Sequence, residues 1–186
     1  MNIKKKDKEI IDLLNENGRL SLSAIAKHVG LSHVAVGNRI NNLIKNQIIK
    51  IRSLINLKNT NFILKVMCLE VKDRHRFIEI YIKCPRVIFM MKTTGEYNLI
   101  IGTYAEDSDT LNSLGEKCSM ANHELVKKSS INISTDIIPE FIPFNFPKKG
   151  VRACNFHCSS CSSYLNNKCV GCPGLELYKD HLSLIH

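Results

Sequence analysis

The chain has 186 residues, a mass of 21.1 kDa and a formal net charge of +9, with 44% hydrophobic and 23% charged residues. This length suits one large domain or two small ones, and the composition is globular rather than disordered. No apolar run is long enough for a transmembrane helix, and the basic start leads into a charged segment, not an apolar signal core. We therefore expect an intracellular, cytoplasmic protein with no membrane partner.

Charge and cysteine are unevenly distributed along the chain. Residues 1–60 carry 11 Lys and Arg against 4 Asp and Glu, a net of +7, whereas residues 61–147 carry 10 against 11, a net of −1. Residues 148–186 carry 5 against 2, a net of +3, and hold five of the eight cysteines. These shifts predict four parts: a first domain at 1–60, a second at 61–138, a proline-rich connector at 139–150 and a cysteine-rich module at 151–186.

The first part has the pattern of a helix-turn-helix domain. Residues 6–17 have the apolar spacing of an amphipathic helix. Ser21 is a good N-cap for a second, short helix that Gly30 ends, and Ser32 caps a third helix running to about Gln47. In this arrangement the last helix enters the major groove of DNA.

The third predicted helix has an apolar face and a polar face. The apolar face is expected to be buried and holds Val36, Ile40, Leu43 and Ile44. Asparagine can pair with adenine and arginine with guanine or phosphate, so the polar face suits DNA contact. A solvated helix face is the alternative. The charge of +7 favours DNA, because phosphate neutralisation supplies most non-specific affinity.

A basic wing is predicted directly after the third helix. Ile48 to Asn56 alternates like a pair of strands and carries two basic residues. Such a wing would lie along the DNA backbone. The predicted DNA-binding residues are Ser32, His33, Val34, Asn38, Arg39, Asn41, Asn42, Lys45, Lys50 and Arg52.

The second part predicts the order strand, helix, strand, strand, helix, strand. Apolar β-branched runs indicate strands, and helical spacing indicates the two helices between them. The predicted strands are 62–71, 87–93, 99–104 and 130–138, and the helices are 73–83 and 107–120. The fold class is therefore α+β, with a winged helix-turn-helix followed by a ferredoxin-like βαββαβ sandwich and a small cysteine-rich tail.

The cysteine-rich tail predicts a metal site. Two Cys-x-x-Cys pairs can enclose one ion or cap a cluster. The odd count of five cysteines in the tail, and the cytosolic character of the other domains, argue against disulfides. Zinc and a [4Fe-4S] cluster both accept four thiolates, and spacing alone does not separate them. The run Cys154-x3-Cys158-x2-Cys161 resembles the triad that holds cubane clusters in several iron–sulfur families, which favours the cluster and leaves zinc open. A fifth thiol would permit ligand exchange and hence a redox switch. The predicted ligands are Cys154, Cys158, Cys161, Cys169 and Cys172, whereas Cys68, Cys84 and Cys118 are expected to be packing residues.

The motifs also resemble a known family. The run from Ile10 to Ile49, with Ala26, Gly30-Leu31-Ser32, Arg39 and Leu43, resembles the DNA-binding domain of the Lrp/AsnC (feast/famine) transcription regulators. Gln47 departs from this pattern, which usually has glycine before the wing. Cys84-Pro85-x-Val87 and the later Thr94 to Leu99 resemble the signature of that family's ligand-sensing domain.

The resemblance implies a DNA-binding homodimer or higher even homo-oligomer, assembled through its sheets, that binds double-stranded DNA and a small effector. The implied effector-binding residues are Gly95, Glu96, Tyr97 and Asn98, where the family usually has aspartate in place of Asn98. The tail resembles short modules of the form C-x3-C-x2-C-x-x-Tyr…C-x-Gly-C-Pro, here with Tyr164, which are usually assigned metal or iron–sulfur binding.

Two other classes of function remain as alternatives. Some proteins of this two-domain form are siroheme decarboxylases, which depend on histidine and arginine. The candidate residues for that chemistry are Arg74, His75, Arg76 and His123. They form no recognisable motif. An electron-transfer or interaction module that has lost its operator is the other alternative. The prediction is a transcription regulator and not an enzyme, modulated by a [4Fe-4S] cluster, by zinc or by a small effector.

Overall fold

The computed structural model describes residues 3–117, 120–145, 148, 150–151 and 157–179. The chain divides into two compact units, and the boundary along the sequence lies between Ser53 and Leu54 rather than after residue 60. Within the described residues, no helix is long and apolar enough to cross a membrane.

The first unit contains three helices, α1 (Lys5–Glu16), α2 (Leu22–Val29) and α3 (His33–Lys45). The predicted caps are confirmed: the hydroxyls of Ser21 and Ser32 each accept the backbone N–H three residues on, at 3.1 Å. Gly30 ends α2 with a left-handed φ of 67°, which glycine adopts without steric cost.

Apolar side chains from all three helices form the core of this unit. Ile10, Ile25 and Val36 are fully buried, and Ile40 packs with them. The predicted apolar face of α3 is thus confirmed except at Ile44, which is 42% exposed. Ile44 lies one residue beyond the buried Leu43, a step of about 100° around a helix that turns it away from the core.

The predicted wing is wrong. Gln47 takes a left-handed φ of 55°, and the Ile48 N–H then bonds the Leu43 carbonyl at 2.9 Å, so the chain closes the end of α3 instead of starting a strand. The strand that follows, β1 (Leu54–Asn56), pairs with β6 (Phe141–Pro143) from the connector. A local hairpin is therefore replaced by pairing within the second unit.

The second unit has the predicted βαββαβ order. Its elements are β2 (Ile63–Val71), α4 (Arg74–Tyr81), β3 (Val87–Lys92), β4 (Leu99–Ala105), α5 (Ser108–Glu116) and β5 (Val126–Ile133). The antiparallel sheet order β3-β4-β2-β5 is ferredoxin-like. The last strand begins and ends earlier than predicted, because it pairs with β2 from Val71↔Val126 to Lys65↔Ile133.

The two faces of this sheet differ. Met67, Leu69 and Ile101 are buried on the face that packs against helix residue Phe77. On the other face, apolar residues of β2, β3 and β4 lie opposite one another in the strand pairings. This face is open, and these residues are Val66, Cys68, Phe89, Met91, Ile100 and Gly102.

The connector and the cysteine tail pack on the second unit. Phe144 is buried, and its ring lies 5.3 Å from that of Phe62 and 5.0 Å from that of Tyr104. The described part of the tail, residues 157–179, contains one short helix, α6 (Ser162–Leu165), after a 3₁₀ turn at Cys158–Ser160. Of the predicted residues, Cys118 and Cys154 lie outside the described part of the chain.

Candidate functional site

Helix α3 presents a polar face to solvent. Seven of the predicted DNA-binding residues are exposed there, namely Ser32, His33, Val34, Asn38, Asn41, Asn42 and Lys45. Lys50 and Arg52 are exposed in the segment after the helix. The Ser32 hydroxyl accepts the Ala35 N–H as the N-cap of α3, so Ser32 would have to contact DNA from the exposed side of this turn. The arrangement leaves three asparagine side chains and a lysine on one solvent-facing surface.

Arg39 has a partner that the sequence pattern does not indicate. Its guanidinium donates to the Asp7 carboxylate at 2.7 Å, and the other Asp7 oxygen accepts the Lys4 N–H at 3.1 Å, which caps α1. Burial alone would raise the Asp7 pKa, but the bonds from Arg39 and Lys4 outweigh it and hold this pKa below its ordinary value. Arg39 therefore joins α1 to α3, and a DNA contact by Arg39 stays a prediction.

The loop between β3 and β4 holds the predicted effector residues. Gly95 has a left-handed φ of 101°, and Glu96 forms an ion pair with Lys128, whose ammonium lies 5.6 Å from the centre of the Tyr97 ring. The Asn98 amide donates to the Val71 carbonyl and accepts the Val71 N–H, both at 2.9 Å. Asn98 thus fastens the loop to the end of β2, a role that the aspartate usual in the family could fill only as acceptor.

The residues of the decarboxylase alternative do not form a common site. Arg74 donates to the Thr93 and Asn98 carbonyls at 3.3 and 3.4 Å, whereas His75 lies 3.4 Å from Glu79 on the exposed side of α4. The His123 ring packs edge-on against Phe77 and Tyr81. Each of these side chains has a local structural role.

The part of the cysteine-rich tail at residues 157–179, hereafter the cysteine segment, folds around Tyr164. Its hydroxyl donates to the Leu177 carbonyl at 2.7 Å, and the Lys179 ammonium lies 4.5 Å from the ring centre. Gly171 has a φ of 90°, and a Cβ there would lie 3.1 Å from the ring. In the Tyr…Cys-x-Gly-Cys pattern, the tyrosine (Tyr164) therefore packs directly against the glycine (Gly171).

Four of the five predicted metal ligands are described, and Cys154 is not. Cys158 is buried, and the Gly171 N–H donates to the Cys169 sulfur at 3.4 Å. Burial raises the pKa of the Cys169 thiol, nearby Cys158 and Cys161 add to the rise, and Gly171 and Arg86 oppose it. Within the described residues, no three His, Cys, Asp or Glu side chains are placed to hold a metal ion.

A buried ion pair beneath this segment has no counterpart in the sequence analysis. Arg86 precedes β3 and Glu106 follows β4; their side chains are 6% and 1% exposed and lie 2.5 Å apart. Arg86 also donates to the Gly171 carbonyl at 2.7 Å, and the Tyr178 hydroxyl donates to Glu106 at 2.7 Å. Burial alone would lower the Arg86 pKa, but Glu106 raises it, so the guanidinium stays charged.

Helix α5 supplies a second set of contacts to the segment. The Ser113 hydroxyl donates to the Lys168 carbonyl at 2.7 Å, and the Val170 N–H donates to the Thr110 hydroxyl at 3.3 Å. The signal that could have revealed this is the pair of small polar residues on the buried side of α5, where an apolar side would be expected.

Comparison with known proteins identifies the family. An AsnC-type helix-turn-helix domain matches residues 5–44. The HTH-type transcriptional regulator LysM of Sulfurisphaera tokodaii is 32% identical over 101 residues, covering 53% of this chain and 71% of LysM. The chain belongs to the Lrp/AsnC family of transcription regulators. The HTH-type transcriptional regulator FL11 of Pyrococcus furiosus is 28% identical over 112 residues, covering 58% of this chain and 74% of FL11.

Solved structures agree with the Lrp/AsnC assignment at the level of the fold. A transcriptional regulator of Neisseria meningitidis, solved as a complex with L-methionine, superposes with a TM-score of 0.64 at 20% identity, covering 74% of this chain and 92% of that one. The chain is a DNA-binding transcription regulator and not an enzyme, as predicted, because the relatives it matches are transcription regulators.

Proposed function

We propose that this Lrp/AsnC regulator binds a defined, pseudo-palindromic DNA sequence through α3, and that a group held by its cysteine segment modulates this binding. The observation that carries the DNA part is the solvent-facing row of Asn38, Asn41, Asn42 and Lys45 on a helix whose other side forms the core. Asparagine side chains in the major groove discriminate adenine by about 1–3 kcal/mol per bidentate pair.

Substitution of these asparagines tests base recognition. Asn38→Ala or Asn41→Ala should weaken binding to the preferred DNA by about 5- to 150-fold, while binding to unrelated DNA changes little. Asn112→Ala, at an exposed position on α5, is the matched control and should leave both affinities unchanged. Equal affinities for wild type and all three variants in a salt-controlled gel shift would contradict the proposal.

Lys45 separates phosphate contact from base recognition. Lys45→Ala should weaken binding to all sequences alike and reduce the slope of log K against log salt by about one unit. Titrations at several salt concentrations measure this slope. A loss confined to the preferred sequence would instead assign Lys45 to a base.

We also propose that the protein assembles as a homodimer or a higher even oligomer through its sheets. The open sheet face supports this, because Phe89 and Met91 are 44% and 50% exposed on it and an apolar face of this kind is stabilised by burial against a second copy. A pseudo-palindromic operator is the DNA counterpart of such a two-fold assembly.

A small effector is proposed to bind at the loop of residues 93–98. The fold is shared with a regulator that was solved with L-methionine, which supports an effector of amino-acid size. Because the Asn98 amide is bonded to the backbone of Val71, ligand contacts would come from Gly95, Glu96 and Tyr97.

The group proposed for the cysteine segment is a [4Fe-4S] cluster, with zinc as the alternative. The donor chemistry supports a thiolate-bound group, because Cys158, Cys161, Cys169 and Cys172 lie in one folded segment and a backbone N–H donates to the Cys169 sulfur. Since no three of the described side chains are placed to hold an ion, binding would have to draw these sulfurs together. Such a group would bring four negative sulfurs together. A fifth thiol, from Cys154, would allow exchange of one ligand on oxidation.

The spectrum of anaerobically purified protein separates the two groups. A cluster predicts broad absorbance near ~400 nm that bleaches with dithionite, together with iron and sulfide in about equal amounts. Zinc predicts a colourless protein with one metal per chain. A colourless protein without either metal would remove the metal part of the proposal and leave DNA binding in place.

A further inference from the structure

The Arg86–Glu106 ion pair takes two of its further hydrogen bonds from the cysteine segment, and Arg86 donates a third to the Tyr104 carbonyl on β4 at 3.4 Å. Both side chains are buried, and charges removed from water destabilise a protein unless further polar groups bond them. The segment supplies two such groups, the Gly171 carbonyl on Arg86 and the Tyr178 hydroxyl on Glu106, each at 2.7 Å. A docked segment therefore completes the pair, and an undocked one leaves two buried charges without these bonds.

The Arg86 contact lies within the second Cys-x-x-Cys pair. Gly171 is between Cys169 and Cys172, and its N–H donates to the Cys169 sulfur while its carbonyl accepts from Arg86. A group bound by both sulfurs would tie down the chain on either side of Gly171 and so restrain the orientation of its peptide groups. The position of the carbonyl that Arg86 holds is thus tied to the state of the thiols.

The other side of the contact is the β3–β4 hairpin. Arg86 directly precedes β3, and its carbonyl accepts the Tyr104 N–H at 3.2 Å near the end of β4. Glu106 leads into α5, where the Asp107 side chain caps the helix. The loop of residues 93–98 lies at the opposite end of this same hairpin.

We propose that Arg86 is a positioning residue through which the cysteine segment acts on the β3–β4 hairpin. One side of its guanidinium holds the backbone of the second Cys-x-x-Cys pair, and the other side holds the β4–α5 junction through Glu106. The hydrogen-bonded link rests on these contacts alone, whereas the transmission of a signal from a bound group to DNA binding rests on the proposed function.

The link is tested first in the reduced, chelator-treated full chain. Tyr178→Phe removes one hydroxyl that joins the segment to Glu106, and Tyr164→Phe removes a matched hydroxyl that bonds within the segment. Amide hydrogen exchange of the peptide spanning residues 102–111 reports on the junction. A hydrogen bond to a buried charge predicts about tenfold or faster exchange there in Tyr178→Phe.

The matched variant decides whether this effect is specific. Tyr164→Phe should leave exchange at residues 102–111 unchanged while raising it within the segment. Equal acceleration at the junction by both variants, or by neither, would overturn the link, whether or not any metal binds.

A second experiment asks whether the link carries the signal. The affinity for DNA is measured with the metal bound and after its removal, in wild type and in Arg86→Lys. Lysine keeps the charge but lacks the planar fork that bonds Glu106 and Gly171 together. We expect Arg86→Lys to reduce the ratio of the two affinities to about one with metal content unchanged. An unaltered ratio would overturn the inference and leave the metal proposal intact.

Discussion

At the scale of single residues, the largest surprise is the role of Arg39. Its position on α3 was predicted correctly, and helical periodicity places it beside the solvent-exposed asparagines of that helix. Periodicity, however, orients a side chain around its own helix and says nothing about a partner on another one. Asp7, which is 32 positions away and buried, supplies that partner. The sequence therefore predicted the exposed polar face of α3, but it did not predict that the Arg39 guanidinium at the edge of this face is paired with Asp7.

The Asp7–Arg39 pair predicts a pH-dependent stability. Because the Asp7 pKa is lower in the folded protein than in the unfolded chain, the stabilisation is present above the ordinary carboxyl pKa and is lost as the pH falls through the folded value. Asp7→Asn should lower the free energy of unfolding by about 1–2 kcal/mol near neutral pH, and the difference should shrink below about pH 4.

Urea unfolding followed by circular dichroism between pH 3 and 7 measures this difference. Asp12→Asn is the control, since Asp12 is exposed on the same helix. A difference for Asp7→Asn that is constant over this range would show that the charge on Asp7 is not what stabilises the helices.

A carboxylate introduced at Asn98 should destabilise the protein when it is ionised, whereas the ionised Asp7 carboxylate stabilises it. Asn98→Asp keeps the acceptor for the Val71 N–H but replaces the donor to the Val71 carbonyl with a second oxygen. The new carboxylate would face that carbonyl, so the loss of stability, about 1–3 kcal/mol, should be greatest at neutral pH and should lessen in acid, where the group is protonated. Thermal unfolding at pH 7 and pH 4 checks the direction. Asn98→Ser, which also removes the amide but adds no charge, should show no such pH dependence.

At the scale of elements, local signals predicted what local interactions determine. The serine caps and Gly30 place the ends of α2, and the apolar runs identify every strand of the four-stranded sheet. The wing failed because strand pairing is not local: β1 has its partner 84 or more residues away, as the Asn56–Glu140 hydrogen bond illustrates. Alternation in Ile48 to Asn56 indicates a strand without indicating which segment pairs with it.

The cysteine segment also has its own element-scale prediction. Gly171→Ala places a Cβ against the Tyr164 ring at a φ of 90°, and strain of this kind costs about 1–3 kcal/mol. The variant should melt at a lower temperature and expose Cys169 and Cys172 to faster labelling by a thiol reagent. Gly115→Ala is the control, because a Cβ there meets open space on α5, and it should be neutral or stabilising by up to about 1 kcal/mol. Equal behaviour of the two variants would contradict the assigned role of Gly171.

At the scale of the whole molecule, charge partition predicted the arrangement of the functions along the chain. The net +7 of residues 1–60 belongs with a helix-turn-helix, and the neutral middle forms the sandwich. The sequence presented the tail as an addition, but its described part is packed into the second unit through Arg86, Glu106 and α5. Arg86, Glu106 and Ser113 lie 85, 72 and 55 positions from their partners in the tail, and isolated polar residues at such separations form no pattern that predicts the docking.

The proposed modulation of specific DNA binding by a thiolate-bound group in the cysteine segment is open to a direct test. The most direct measurement is footprinting of the anaerobically purified full chain on a preferred DNA fragment, at fixed salt, before and after removal of the bound metal. We predict protection of one defined, pseudo-palindromic stretch at both stages, with midpoint concentrations that differ by at least about fivefold, the lower end of ordinary coupling between two sites. Identical midpoints with and without the metal would contradict the proposed modulation, and protection of no defined sequence in either state would contradict sequence-specific binding.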